Sequence, residues 1–196
     1  MASDENDEAD GRMIVWPLER LARLMRAREH DDGLNPAQWE ALRFLSRANR
    51  FSNSPGALTR YLGATKGTVS QTVIALERKG FITKSLREGG RKTISLALTE
   101  KGQAALARDP WADLARVAED LGGKTRRRLY RGLSDLLESE ISRSRLASFG
   151  TCPTCRFFRE RGRSEDAKGP HLCMAFEEAL TEADTSRICR EHAPSG

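Results

Sequence analysis

The chain has 196 residues, with 33 Lys and Arg against 28 Asp and Glu and a formal net charge of +5. That length holds one ordinary domain with a buried core and a small appendage, and no run comes near the roughly 18 apolar residues of a membrane span. The basic balance calls for an anionic partner, and the acidic start is the opposite of a secretory leader, so a soluble cytoplasmic protein with no membrane partner is expected.

Residues 1–11 include Asp4, Glu5, Asp7, Glu8 and Asp10 without an apolar period. They read as a disordered acidic tail, and from residue 11 onward the chain carries +10. Between Met13 and Glu29, Leu18, Leu21, Leu24 and Met25 repeat at helical spacing with Arg20, Arg23, Arg26 and Arg28 between them. This predicts an amphipathic helix, broken at His30–Gly33. Asn35-Pro36 opens a second helix, a capping side chain followed by proline at the first helical position, with Trp39, Leu42 and Leu45 on its buried side. Ser54-Pro55 opens a third by the same logic, and Gly63 ends it. Thr65 caps a fourth, whose Val69, Val73 and Leu76 share one face, and Gly80 closes it. Phe81–Lys84 and Thr93–Leu98, joined across Glu88-Gly89-Gly90, predict a β-hairpin.

Thr99 caps the next helix, and Pro110 kinks it or starts a fresh turn. Leu114, Val117, Ala118 and Leu121 continue an apolar face up to Gly122-Gly123. The last long helix carries Leu129, Leu133, Leu136, Leu137 and Ile141, a nearly heptad stripe. Apolar seams on helices at both ends of a compact reader predict a helical homodimer interface. The small, basic stretch Ser142–Gly150 reads as a linker. The expected organisation is thus a tail (1–11), a helical winged domain with dimerisation elements (12–146) and a cysteine module (147–196). The fold class is mainly α with a small β-hairpin wing.

Two short helices followed by a basic hairpin outline a winged helix-turn-helix. A helix fits the major groove of B-DNA, about 12 Å wide, and residues near its N-terminus reach base edges. Here those are Lys66, Thr68, Ser70 and Gln71, off the Val69/Val73/Leu76 face. Gln71 suits bidentate pairing with adenine, Lys66 suits guanine or phosphate, and the hydroxyls suit either. Arg78 and Lys79 at the far end suit phosphates. Arg87, Arg91 and Lys92 at the hairpin tip suit the narrow minor groove.

From Pro55-Gly56-Ala57-Leu58, through Gly63-Ala64-Thr65-Lys66-Gly67-Thr68-Val69-Ser70 and Leu76-Glu77-Arg78-Lys79-Gly80-Phe81-Ile82, to Leu98-Thr99-Glu100-Lys101-Gly102, the segment resembles the MarR family of bacterial regulators. The match extends more loosely over about residues 13–144. The resemblance implies a triangular homodimer whose terminal helices pair and whose winged domains straddle a pseudo-palindromic operator, usually repressing transcription. It departs at the wing tip, where Gly89-Gly90-Arg91-Lys92 lacks the Asp that usually precedes the Arg.

Four cysteines remain, Cys152, Cys155, Cys173 and Cys189, with gaps of seventeen and fifteen residues after the Cys-Pro-Thr-Cys pair. In a reducing compartment they read as ligands rather than structural disulfides. A closed set of four thiolates suits either zinc or an iron–sulfur cluster. Phe157, Phe158, Leu172, Met174, Phe176 and Ile188 beside the thiols would make the dry wall a cluster needs. The order and gap sizes are similar to the ligand pattern of high-potential iron–sulfur proteins, although the last cysteine lacks that family's usual glycine and tryptophan neighbours. An iron–sulfur cluster, 4Fe–4S in kind, therefore ranks above zinc, with paired or free thiols third. His171 and His192 are read as surface or supporting residues.

No catalytic Ser/His/Asp arrangement, phosphate loop or spaced carboxylate pair stands out, so an enzyme is not expected. The expected function is a sequence-specific transcriptional regulator, a homodimeric repressor on double-stranded DNA, whose operator binding follows the redox or iron state of a cluster. Two alternatives stay open. One is a regulator with a structural zinc and a small organic effector, and the other is a cluster-bearing electron carrier.

Overall fold

The structure is a computed structural model and describes residues 10–29, 33–86, 93–163 and 165–195. Asp10 caps α1 (Gly11–Ala27), which begins one residue inside the stretch assigned to the tail. Asn35 and Gln38 form a reciprocal capping box at the start of α2 (Pro36–Arg47). Ser54 accepts from Ala57 N to start α3 (Pro55–Leu62), and Gly63, at φ +60°, takes the left-handed turn into Thr65, the cap of α4 (Lys66–Arg78). β1 (Ile82–Leu86) pairs antiparallel with β2 (Ile94–Leu98) in the register Ile82 to Leu98 and Leu86 to Ile94. The expected turn at 88–90 and the cationic tip at Arg87, Arg91 and Lys92 lie outside the described residues.

Thr99 caps α5 (Glu100–Ala107), and Pro110 starts a separate helix, α6 (Pro110–Glu119), with Asp109 as its cap. α7 spans Gly123–Arg143. The core lies between α2, α3, α4 and the hairpin, where Leu42, Phe44, Leu58 and Leu76 are fully buried. The outer helices differ. α7 buries no residue, and Met13, Trp16, Leu129, Leu136 and Leu137 are exposed.

An ion cluster joins α1, α2 and α6. Arg43 donates from Nη2 to Glu29 Oε1 (2.6 Å) and Asp109 Oδ1 (2.8 Å), and from Nε to Asp109 Oδ2 (2.7 Å). Its guanidinium lies 5.6 Å from the Trp39 ring and 5.7 Å from the Trp111 ring. Both indole N–H groups donate to Glu29, Trp39 to its carbonyl and Trp111 to its carboxylate. Burial works against the Arg43 charge, but its hydrogen bonds to Asp109 and Glu29 and their negative charges outweigh it and hold its pKa above the ordinary value.

The C-terminal module is a second small sheet in the order β3 (Phe158–Arg159), β4 (His171–Cys173), β5 (Glu178–Leu180), antiparallel throughout, followed by the one-turn helix α8 (Glu182–Thr185). It is docked rather than strung on a linker. Ile188 forms a parallel bridge with Ala48, and Phe51 stacks on Phe176 at 4.2 Å. Phe149, inside the supposed linker Ser142–Gly150, packs edge-on against Phe44 and Tyr61 at 5.9 and 5.2 Å. The first part of that stretch is still α7. The boundary at 146/147 therefore divides two parts of the chain that share one packed interface.

Candidate nucleic-acid interface and thiol site

α4 shows two chemically distinct faces. Val69, Thr72, Val73 and Leu76 are buried against α2, α3 and β1, while Lys66, Thr68, Ser70, Gln71 and Arg78 are exposed, as the apolar spacing requires. The Thr65 hydroxyl accepts from Thr68 N (3.1 Å) and meets the Thr68 hydroxyl (2.9 Å), so Thr68 is partly engaged in capping. Lys84 Nζ contacts Glu77 Oε2 at 2.6 Å and ties the hairpin to the helix.

Lys79 is placed otherwise than the sequence reading put it. Its ammonium donates to Gly33 O (2.7 Å) and Gln38 Oε1 (2.9 Å), closing the start of α2, so it does not reach toward phosphate. Ile74 was missed. It lies on the Ser70/Gln71 side and is 47% exposed, on a helix whose apolar neighbours are buried. A helical projection places it there, three residues after Gln71 and four after Ser70. In a major groove such a side chain suits a thymine methyl.

All four cysteines are free thiols and line one small cavity. Cys152 starts a 3₁₀ turn (Cys152–Thr154), and Cys155 N donates back to Cys152 O (2.9 Å), which sets both thiols on one turn. Cys173 closes β4 opposite Phe158, and Cys189 N donates to Gly150 O (2.9 Å). Phe51, Phe157, Phe158, Phe176 and Leu180 supply apolar walls. Burial, then the neighbouring Cys189, Cys173 and Cys155, push the Cys152 thiol up to about 12. Burial also raises Cys173, while the Phe176 and Ala175 amides, donating to its sulfur, pull the other way.

Among the described residues, no three His, Cys, Asp or Glu side chains converge on a single-ion position. The thiols surround a space instead. The two histidines have other partners. His171 is buried, accepts from Arg161 N at Nδ1 (3.1 Å) and holds Nε2 2.9 Å from Glu182 Oε1, an ion contact without hydrogen-bond geometry. His192 borders the cavity, but its ring nitrogens meet Ser148 Oγ (3.1 Å) and Thr154 Oγ1 (3.0 Å).

A helix pair with an outward-reading second helix and an antiparallel hairpin is a winged helix-turn-helix. Residues 32–92 match the MarR family model, and the fold around them is of MarR type. A MarR family protein from Bacillus stearothermophilus is similar at 21% identity and a TM-score of 0.54, over 71% of this chain and 99% of its own. FabT of Streptococcus pneumoniae, solved in complex with DNA, is similar at 19% and 0.53, over 68% and 99%. CouR of Rhodococcus jostii RHA1, solved bound to p-coumaroyl-CoA, is similar at 14% and 0.52, over 68% and 95%. Each covers nearly all of its own chain, yet about a third of this one has no counterpart in it. No curated protein matches. No helix among the described residues is long and apolar enough to cross a membrane.

Proposed function

We propose that the protein is a sequence-specific DNA-binding transcriptional regulator, a homodimeric repressor whose hold on its operator depends on an iron–sulfur cluster bound by Cys152, Cys155, Cys173 and Cys189. The observation that carries the DNA reading is α4, which buries Val69, Val73 and Leu76 and turns Lys66, Ser70, Gln71 and Ile74 to solvent. Lys66 and Arg78 at its two ends contact phosphates or guanine, and Ser70, Gln71 and Ile74 between them read base edges. Thr68 adds a hydroxyl at the helix start. Arg87, Arg91 and Lys92 follow the minor groove beside it. FabT, of similar fold, was solved on DNA.

The exposed apolar residues of α1 and α7 support the dimer. A monomer that left Met13, Trp16, Leu129, Leu136 and Leu137 in water would forgo burial worth about 25 cal/mol per Å². A second copy covers them and sets two α4 helices at a fixed spacing, as two half-sites require.

The donor set supports a cluster over zinc. A cluster needs a dry surround, and these four thiols stand around a cavity walled by Phe51, Phe157, Phe158, Phe176 and Leu180. Burial raises the Cys173 thiol, and the Phe176 and Ala175 amides at its sulfur oppose that rise in part, as amides around a cluster thiolate do. When bound, a cluster supplies a centre whose charge and integrity follow redox state and iron supply. A second reading, control by a small organic effector, draws on an open groove of about 490 Å³ with a floor at Leu45, Leu96 and Leu98 and cations at its rim. CouR was solved with such a ligand.

Anaerobic purification followed by an absorption spectrum and iron, sulfide and zinc quantitation tests the cofactor. A colourless protein with one zinc per chain would sink the cluster reading. For the DNA reading the probe is a duplex selected from a random pool by the purified protein. With six or more phosphate contacts, its affinity should fall by about 10³ to 10⁵ between 50 and 200 mM salt. Binding indifferent to salt would overturn it. Redox cycling that left affinity unchanged would favour an electron carrier.

A further inference from the structure

We infer that the α2–α3 loop, Ala48–Asn53, carries the state of the thiol site to the DNA-reading helix within the same subunit. The inference rests on the cluster reading above.

The loop is one wall of the thiol cavity, through Asn49 and Phe51. Phe51 lies flat on Phe176, another wall residue, and its amide donates to Asn49 Oδ1 (3.1 Å). The peptides flanking Cys189 are fastened to the same loop and the end of α2. Ile188 N donates to Arg47 O (2.9 Å), a carbonyl that the last turn of α2 leaves without a helical partner, and Asn49 N donates to Ile188 O (3.0 Å). Arg190 N donates to Ser52 Oγ (2.9 Å). A shift of Cys189 along the chain therefore pulls on the loop on both sides of that residue. Arg50, reaching the Ala179 carbonyl, adds a third tie to β5.

The other end of the loop holds the reader. Asn53 O accepts from Leu96 N (2.8 Å), and Asn53 Nδ2 donates to Ser95 Oγ (2.9 Å), so the loop fixes β2 and with it the root of the wing. The next residue, Ser54, caps α3, and Leu58 of α3 is buried in the same core as Val69, Val73 and Leu76 of α4. Chain order suggests another route, through α7, which directly precedes the module. That helix buries no residue, and residues 144–146 after it are exposed, so it offers no packed path inside the subunit. Coupling needs contiguous elements with two arrangements, and the loop is packed against both sites.

The test uses the full-length protein, apo and loaded anaerobically with ferrous iron and inorganic sulfide, read by amide hydrogen exchange and by affinity for the selected duplex. Loading should slow exchange at Ala48–Asn53 and Ile94–Leu98 at least tenfold, with less change along α7, and should alter affinity by roughly five- to 150-fold. Exchange changes confined to residues 150–195, or larger in α7 than in the loop, would overturn the loop route while leaving the cluster standing. Failure to take up iron and sulfide would overturn both. Ser52→Ala removes the acceptor of Arg190 N and touches no thiol. It should load normally, while the ratio of loaded to apo affinity collapses toward one. A ratio kept at the unmodified value with normal loading would overturn the inference.

Discussion

The winged core and the thiol module are filled in different ways. In the core, Leu42, Phe44, Leu58 and Leu76 meet one another and leave nothing for a ligand to supply. In the module the buried set is Phe51, Cys152 and Leu180, with Phe158, Cys173 and Phe176 packed against it around a cavity. About fifty residues rarely close a core of their own side chains, and small domains of that size take staples, metals or a neighbour. This module borrows Phe51 from the winged domain and lines its cavity with four thiols. The chain carries a separate probe for each region once the exposed Trp16 of α1 is replaced by Phe. Trp39 and Trp111 then remain, at the junction of α2 and α6, and all four cysteines lie in the module. Tryptophan fluorescence and thiol labelling can therefore report on the two independently.

The largest effect is expected from Phe44→Ala, which removes a fully buried ring and should cost about 3–5 kcal/mol in fluorescence-monitored unfolding. Leu180→Ala, as deeply buried but beside the cavity, should leave that transition nearly unmoved and speed thiol labelling of the apoprotein. If each substitution shifted both probes equally, core and module would be a single cooperative unit and the contrast would fail. Arg43→Met comes next. It leaves Glu29 and Asp109 buried without their cation and should cost about 3 kcal/mol or more by fluorescence. Changing Glu29 to Gln and Asp109 to Asn in the same chain should restore part of that. A loss under about 1 kcal/mol for Arg43→Met alone would mean water reaches the cluster.

What the sequence reveals and what it hides divide along the same line. The helix starts at Asn35, Ser54, Thr65 and Thr99 are legible because each cap bonds the backbone amide three residues on, and Gly63 and Gly80 take positive φ just past their helices. The outward set of α4 follows from period alone. Arg43 with Glu29 and Asp109 does not, because partners 14 and 66 residues apart share no local pattern. Lys79 is misjudged for the same reason, since its acceptors lie on another helix start. The thiols are legible as a group from their spacing. That Cys189 would be fastened to the α2–α3 loop is not, since the bond from Arg190 to Ser52 spans 138 residues.

Two glycines sharpen the comparison at a smaller scale. A Cβ on Gly102 would stand 2.3 Å from the Phe81 carbonyl oxygen, so α5 would have to move off the strand that starts at Ile82. Gly102→Ala should cost about 1–3 kcal/mol, visible in fluorescence. A Cβ on Gly150 would meet the His192 ring at 2.5 Å, a side chain that can swing once it gives up Ser148 and Thr154. Gly150→Ala should therefore cost less and show in thiol labelling alone. A larger loss at Gly150 than at Gly102 would make the module the more tightly packed of the two.

The smallest effect expected is a pH dependence confined to the module. Burial lowers the His192 pKa below its ordinary 6.5, and a hydrogen bond to the Thr154 backbone with the charge of Glu138 offsets this only in part. In the folded module the ring thus stays neutral at a pH where the opened chain would already take up a proton. Opening then binds a proton, so His192 contributes its full stability above about pH 6.5 and loses it as pH falls through the lower, folded pKa. Labelling of the apoprotein thiols, expressed relative to free cysteine at the same pH, should accelerate between pH 7 and pH 5 while tryptophan fluorescence holds steady. His192→Gln keeps a donor and an acceptor for Ser148 and Thr154 but has no proton to gain, and it should flatten that slope. A slope unchanged in the variant would assign the acid sensitivity to other groups, and a matching drop in fluorescence would show that the core opens with the module.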